Sequence, residues 1–166
     1  MTDAPDDLDR MIGLAIKQAE TVLLDQPGAS MIPTFVMEDP GDRIVVFGTP
    51  WETEAHKEIT CLALRAIMRE SGTLRYCFMS EAWMAIAPPG TDEHTTRLKD
   101  HEQPSNRPDR VEVVVITASD ASASKSAMLR IVRGEAGTVV RLDRDRAEMK
   151  SLRGRFSNLL QPDDQS

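Results

Sequence analysis

Apolar side chains first recur at a helical spacing. Leu8, Met11, Ile12, Ala15, Ile16, Ala19, Val22 and Leu23 follow the i, i+3, i+4, i+7 pattern, which predicts an amphipathic helix over residues 7–25. Asp6 and Asp7 supply capping oxygens and favourable charge at its start, and Pro27-Gly28 marks its end. The period then changes. Residues 31–38 and 43–49 are short apolar runs on either side of Asp39-Pro40-Gly41-Asp42, the pattern of a β-hairpin. Pro33 cannot donate to a ladder, which predicts that the first of these strands lies at a sheet edge.

Thr49-Pro50-Trp51-Glu52 reads as a helix start, with a hydroxyl at the N-cap, Pro at N1 and Glu at N3. Ile59, Leu62, Ala63, Ala66 and Ile67 supply the apolar stripe of this second helix, and Ser71-Gly72 closes it. Residues 73–87 are apolar at odd and even positions alike, as are residues 111–118, so both are expected to be central strands buried on two faces. Residues 127–133 and 138–143 form a hairpin about Glu135-Ala136-Gly137, and the Ser- and Ala-rich stretch 119–126 is expected to be a loop. A closing helix over 144–160 would place Met149, Leu152, Phe156, Leu159 and Leu160 on one face.

The predicted order is α-β-β-α-β-β-β-β-α. It implies an α+β fold with a mainly antiparallel sheet of about six strands, packed by two or three helices. A length of 166 residues fits a single domain, with residues 1–6 and 161–166 expected to be disordered and 88–109 a long polar loop.

Composition narrows the function classes. The chain opens with an acidic stretch rather than a basic one, and no apolar run approaches the ~20 residues that span a bilayer. A cytoplasmic protein without a membrane segment is expected. Cys61 and Cys77 lie within apolar segments and without metal-ligand spacing, so both are expected to be buried, reduced thiols. The net charge of −7 is unevenly spread: residues 1–124 carry 11 basic and 21 acidic side chains, and residues 125–160 carry 9 and 4. The overall acidity and the lack of a nucleic-acid-binding motif argue against a nucleic-acid partner, and the basic C-terminal stretch is expected to dock on the acidic body or form a subunit contact.

Chemistry concentrates around residues 80–112. Glu81 sits mid-strand, where a carboxylate is costly to bury unless it is paired. Arg110 and Glu112 open the next strand, and a Glu81 to Arg110 cross-strand ion pair is expected. The alternative is a ligand-binding or catalytic cluster of Glu81, Trp83, Arg110 and Glu112 beneath the 88–109 loop, in which paired carboxylates beside an arginine would suit acid–base work. His94 and His101 are weak metal candidates: each lies beside acidic residues, but their separation matches no zinc-ligand spacing. No cofactor is expected.

The Ser80-Glu81-Ala82-Trp83 stretch, followed by Pro108-Asp109-Arg110-Val111-Glu112, resembles a pattern in short uncharacterised bacterial and phage-encoded proteins. The resemblance covers residues 73–118 and implies no activity, only that Glu81, Trp83, Pro108, Arg110 and Glu112 form one spatial cluster. The expected function is binding or regulation through protein–protein contacts, with the chain a homodimer because its strands are apolar on both faces. The rival reading is a small hydrolase or transferase using Glu81, Glu112 and Arg110.

Overall fold

The computed structural model describes residues 6–26, 28–85, 110–144, 156–157 and 159–161. Two helices, α1 (Asp7–Leu23) and α2 (Glu54–Ser71), accompany six strands: β1 (Thr34–Glu38), β2 (Ile44–Gly48), β3 (Arg75–Ala85), β4 (Arg110–Asp120), β5 (Ser124–Arg133) and β6 (Val139–Arg144). The strands form one antiparallel sheet in the order β2-β1-β3-β4-β5-β6. The α+β class and the element order through β6 agree with the sequence pattern. Most of the closing helix expected over 144–160, the 88–109 loop with His94, His101 and Pro108, and the ends 1–5 and 162–166 lie outside the described residues.

Helix α1 forms as its stripe requires. Asp6 caps it by accepting the Asp9 N–H at 2.9 Å, and Leu8, Met11, Ile12, Ala15, Ala19 and Leu23 are all buried. They lie against one face of the sheet with Val36, Cys77, Met79, Val114, Ile116 and Leu129. Alternate side chains of β1 and β3 point the other way, so Phe35, Met37 and Tyr76 build a second core with Cys61, Leu64 and Met68 of α2 and with Phe156 and Leu159. The central strands are thus buried on both faces through residues 76–79 of β3 and 113–119 of β4, as their apolar runs predict, whereas residues 80–82 and 84 of β3 are only partly buried and Trp83 is exposed.

Four local expectations are corrected. β1 is paired on both sides, so the edge belongs to β2. Pro33 stands just before β1, where its carbonyl accepts the Thr49 N–H at 2.7 Å and no donor is needed. That same bond commits Thr49 to the hairpin, so the cap of α2 is Thr53, whose Oγ1 accepts the His56 N–H at 3.1 Å. Gly72 ends the helix in the left-handed conformation, at φ 66°.

The Ser- and Ala-rich stretch 119–126 is mostly strand. Asp120 Oδ1 accepts the N–H groups of Ser122 and Ala123, both at 2.7 Å, and compresses the connection into a tight turn. The flanking serines have a structural use: Ser119 Oγ lies 2.9 Å from Ser124 Oγ and donates to the Ser157 carbonyl at 2.9 Å. The fourth correction concerns the stripe of α2. Ile59, Leu62 and Ile67 are 65%, 68% and 48% exposed, whereas Cys61, Leu64 and Met68 are buried.

Candidate functional site

The polar cluster anticipated from the sequence lies on the α1 face of the sheet, at one end of the β3–β4 ladder. The register sets Glu112 opposite Trp83, Arg110 opposite Ala85 and Glu81 opposite Val114, so Glu81, Trp83, Arg110 and Glu112 share a face. Their partners are not the expected ones. Glu81 Oε1 accepts the Met31 N–H at 2.6 Å, which anchors the segment between α1 and β1. The Arg110 guanidinium lies over the Trp83 ring, 4.5 Å from its centroid.

Glu112 is engaged by a residue that sequence reasoning missed. Arg133 on β5 donates Nε to Glu112 Oε2 at 2.7 Å and Nη2 to Glu112 Oε1, a two-pronged pair, while its Nη1 donates to the Gly137 carbonyl at 2.8 Å. Hydrogen bonding to Glu112 raises the Arg133 pKa above its ordinary value, and the nearby charge of Glu81 adds to the effect. With both Glu112 oxygens held, the cluster reads as a balanced polar seam across β3, β4 and β5. Among the described residues no group of three or more His, Cys, Asp and Glu side chains is placed to hold a metal ion.

A second charged cluster gave no warning in the sequence. Glu38 on β1 is buried and accepts from Arg75 Nη1 at 2.7 Å and from Arg10 Nη2 at 2.5 Å, while Asp7 adds a 2.8 Å contact to Arg75. Burial is the largest influence on the Glu38 carboxyl and would raise its pKa, but the two guanidiniums outweigh it and hold the pKa below the ordinary value. This network ties the start of α1 to the sheet. Nearby, Lys125 of β5 bridges Asp6 and Asp9.

The few aromatic residues are concentrated rather than scattered. Phe35, Phe47, Trp51, Tyr76, Phe78 and Phe156, every aromatic side chain except Trp83, form one connected group under α2, with Trp51 and Phe156 stacked at 4.9 Å. The Tyr76 hydroxyl donates to the Phe156 carbonyl at 2.6 Å and accepts the Leu159 N–H at 3.1 Å. Burial pushes the Tyr76 phenol up to about 12. Cys61 and Cys77 are free thiols and buried, and burial raises the Cys77 pKa.

Among the described residues, two surfaces are apolar and exposed. The outward side of α2 carries Ile59, Leu62 and Ile67 with Ala63 and Ala66 between them, preceded by Ala55 and followed by Glu70, all exposed. The other surface is β2, whose Ile44, Val45 and Val46 are 39%, 48% and 44% exposed. Its hydrogen-bonding direction follows from the two bonds that bracket the hairpin, Thr49 N–H to Pro33 O and Asp39 N–H to Arg43 O. Antiparallel pairs alternate, so Val45 and Phe47 bond to β1, and the N–H and C=O groups of Ile44, Val46 and Gly48 face outward. The opposite edge, β6, carries Arg141, Asp143 and Arg144, charges of the kind that discourage strand addition, whereas β2 has none.

Compared with protein-family models, curated proteins and solved structures, the chain matches none. No helix among the described residues is long and apolar enough to cross a membrane.

Proposed function

We propose that the chain is a cytoplasmic binding or regulatory protein that acts through protein–protein contacts and works as a homodimer. The observation that carries this reading is the outward stripe of α2. Ile59, Leu62 and Ile67 stand in water on a helix whose opposite side is already packed. Covering three such side chains would contribute roughly 1 kcal/mol or more each. Contiguous apolar surface of this kind on a folded domain marks an interaction site. The uncharged β2 edge, whose outward backbone groups pair with no described strand, supports the same reading.

The rival reading, acid–base catalysis by Glu81 and Glu112 with Arg110, has less in its favour. A general base needs a carboxylate with an oxygen free to take a proton, and Arg133 occupies both oxygens of Glu112. Glu81 uses Oε1 to hold the Met31 N–H, an anchoring role. Sedimentation equilibrium of the full chain at tens of micromolar tests the proposal. Twice the chain mass of 18.4 kDa is expected, and a single 18.4 kDa species across that range would overturn the homodimer.

A further inference from the structure

The outward face of α2 has a geometry that selects its occupant. At 3.6 residues per turn, Ile59, Ala63 and Ala66 run along the middle of the exposed face, Leu62 and Ile67 border it, and Ala55 continues it toward the N-terminus. The exposed Glu70 ends it on the C-terminal side, where an antiparallel copy centred on Ala63 would present His56. The helix is 18 residues long, or ~27 Å, so the stripe extends over most of an ordinary helix–helix contact. Alanines at 63 and 66 leave room for another helix to approach closely, while Ile59, Leu62 and Ile67 offer ridges on either side of the shallow centre.

The charges bordering the stripe are arranged by position along the helix. Glu58, near the N-terminal end, and Arg69, near the C-terminal end, lie on the flank that also carries Leu62; His56 and Ile67 lie on the opposite flank. Two antiparallel copies related by a two-fold axis set like flank against like flank with the direction reversed. With the axis near Ala63, Ile59 of each copy meets Ile67 of the other, Ala63 meets its own symmetry mate, and Glu58 of each copy comes beside Arg69 of the other. The surface is therefore complementary to itself in shape and in charge, as an isologous interface requires.

We infer that α2 is the dimerisation element, pairing antiparallel with α2 of a second copy of this chain about a two-fold axis at Ala63. This inference rests on the homodimer reading and adds where the two copies meet. It leaves the β2 edge of each subunit uncovered.

Cross-linking and charge exchange test it on the full chain. The two native thiols are buried, so Ala63→Cys provides an accessible cysteine on the proposed axis. Mild copper-catalysed oxidation is expected to convert most of this variant to a disulfide-linked dimer. Wild type and Glu58→Cys, whose residue 58 would lie far from its own mate, are expected to stay monomeric on non-reducing gels. Glu58→Arg or Arg69→Glu alone should weaken the dimer about threefold each, and the double exchange should restore it.

A wild-type chain that sediments as a monomer would remove the homodimer reading and this inference together. A wild-type dimer in which Ala63→Cys fails to cross-link and Ala63→Glu leaves the dimer intact would overturn the α2 pairing alone. Dissociation by Val46→Lys with Ala63→Glu still dimeric would likewise overturn it, and would assign the contact to the β2 edge. An α2 stripe covered instead by residues 86–109 of the same chain would show as loss of the Ala63→Cys cross-link and of its reactivity toward a thiol reagent, which also overturns the pairing.

Discussion

Glu38 and Arg75 stand directly opposite one another on β1 and β3, and their side chains close the register with a 2.7 Å ion pair at the buried end of the ladder. The Glu38 carboxylate is 1% exposed and cannot exchange its partners for water. Arg10 reaches the same carboxylate from α1, so one acidic side chain joins a helix and two strands. The sequence marks none of these three as partners, because their separation along the chain spans both hairpin strands and α2.

Glu38→Gln should therefore be among the more destabilising polar substitutions in this protein. It keeps the size of the side chain but leaves two guanidiniums facing a neutral amide, and breaking a buried pair from one side costs about 3 kcal/mol. Because Arg10 is 43% exposed and can regain solvent, a loss of about 2 kcal/mol is expected in urea unfolding at pH 7. A change under 0.5 kcal/mol would show that the network contributes nothing.

Acid should expose the same group. The Glu38 pKa lies below its ordinary value of 4.5 in the folded state, so the unfolded chain binds the proton more readily. The stabilisation is complete above pH 4.5 and is lost as pH falls further, through the depressed folded pKa. Asp39 and Asp120, both also lowered, act in the same direction. Urea midpoints from pH 7 to pH 3 should decline below about pH 4.5 in the wild type, and more shallowly in Glu38→Gln.

Tyr76→Phe tests how residues 156–161 are held. The substitution leaves the Phe156 carbonyl without its donor and the Leu159 N–H without its acceptor, in a buried site, for an expected loss of about 1–3 kcal/mol. Trp51 is stacked on Phe156, so loosening the segment should also shift tryptophan emission to the red before global unfolding. A wild-type melting temperature with unchanged emission would count against the assignment.

Two leucines on α2 distinguish its faces directly. Leu64 is 2% exposed and Leu62 is 68% exposed. Leu64→Ala should cost about 2–4 kcal/mol in intrachain stability, and Leu62→Ala about 0.5 kcal/mol or less, measured by urea unfolding at submicromolar concentration. The reverse ranking would put the stripe of Ile59 and Leu62 inside.

Glu81→Gln separates an anchor from a reactive group. The amide oxygen can still accept the Met31 N–H, so stability should fall by about 1 kcal/mol or less, whereas Glu81→Ala leaves that N–H unpaired and should cost about 1–3 kcal/mol. Equal losses in the two variants would show that the charge, rather than the acceptor, matters.

Local physics by itself determined α1 with its Asp6 cap, both hairpins, the glycine stop of α2 and the two-sided burial of β4 and of the first half of β3. Each of these follows from side-chain period, from a capping oxygen or from a turn, all of which act over a few residues. The sequence also gathered Glu81, Trp83, Arg110 and Glu112 on one face, since strand alternation fixes faces once a pairing is assumed. Only the tertiary structure decided their partners. A ladder shifted by a residue or two changes every cross-strand neighbour, and Arg133 belongs to a strand whose register with β4 is set by the Asp120 turn, in a stretch whose composition reads as a loop.

The second helix shows the limit most plainly. Residues 54–71 carry two apolar stripes on nearly opposite sides, one of Cys61, Leu64 and Met68 and one of Ile59, Leu62 and Ile67. The sequence pattern points to the second as the apolar stripe and passes over the first. Which stripe turns inward depends on what it meets, and the aromatic floor of Phe35, Tyr76 and Phe156 is assembled from three separate parts of the chain. The burial of one stripe and the exposure of the other are thus properties of the folded whole.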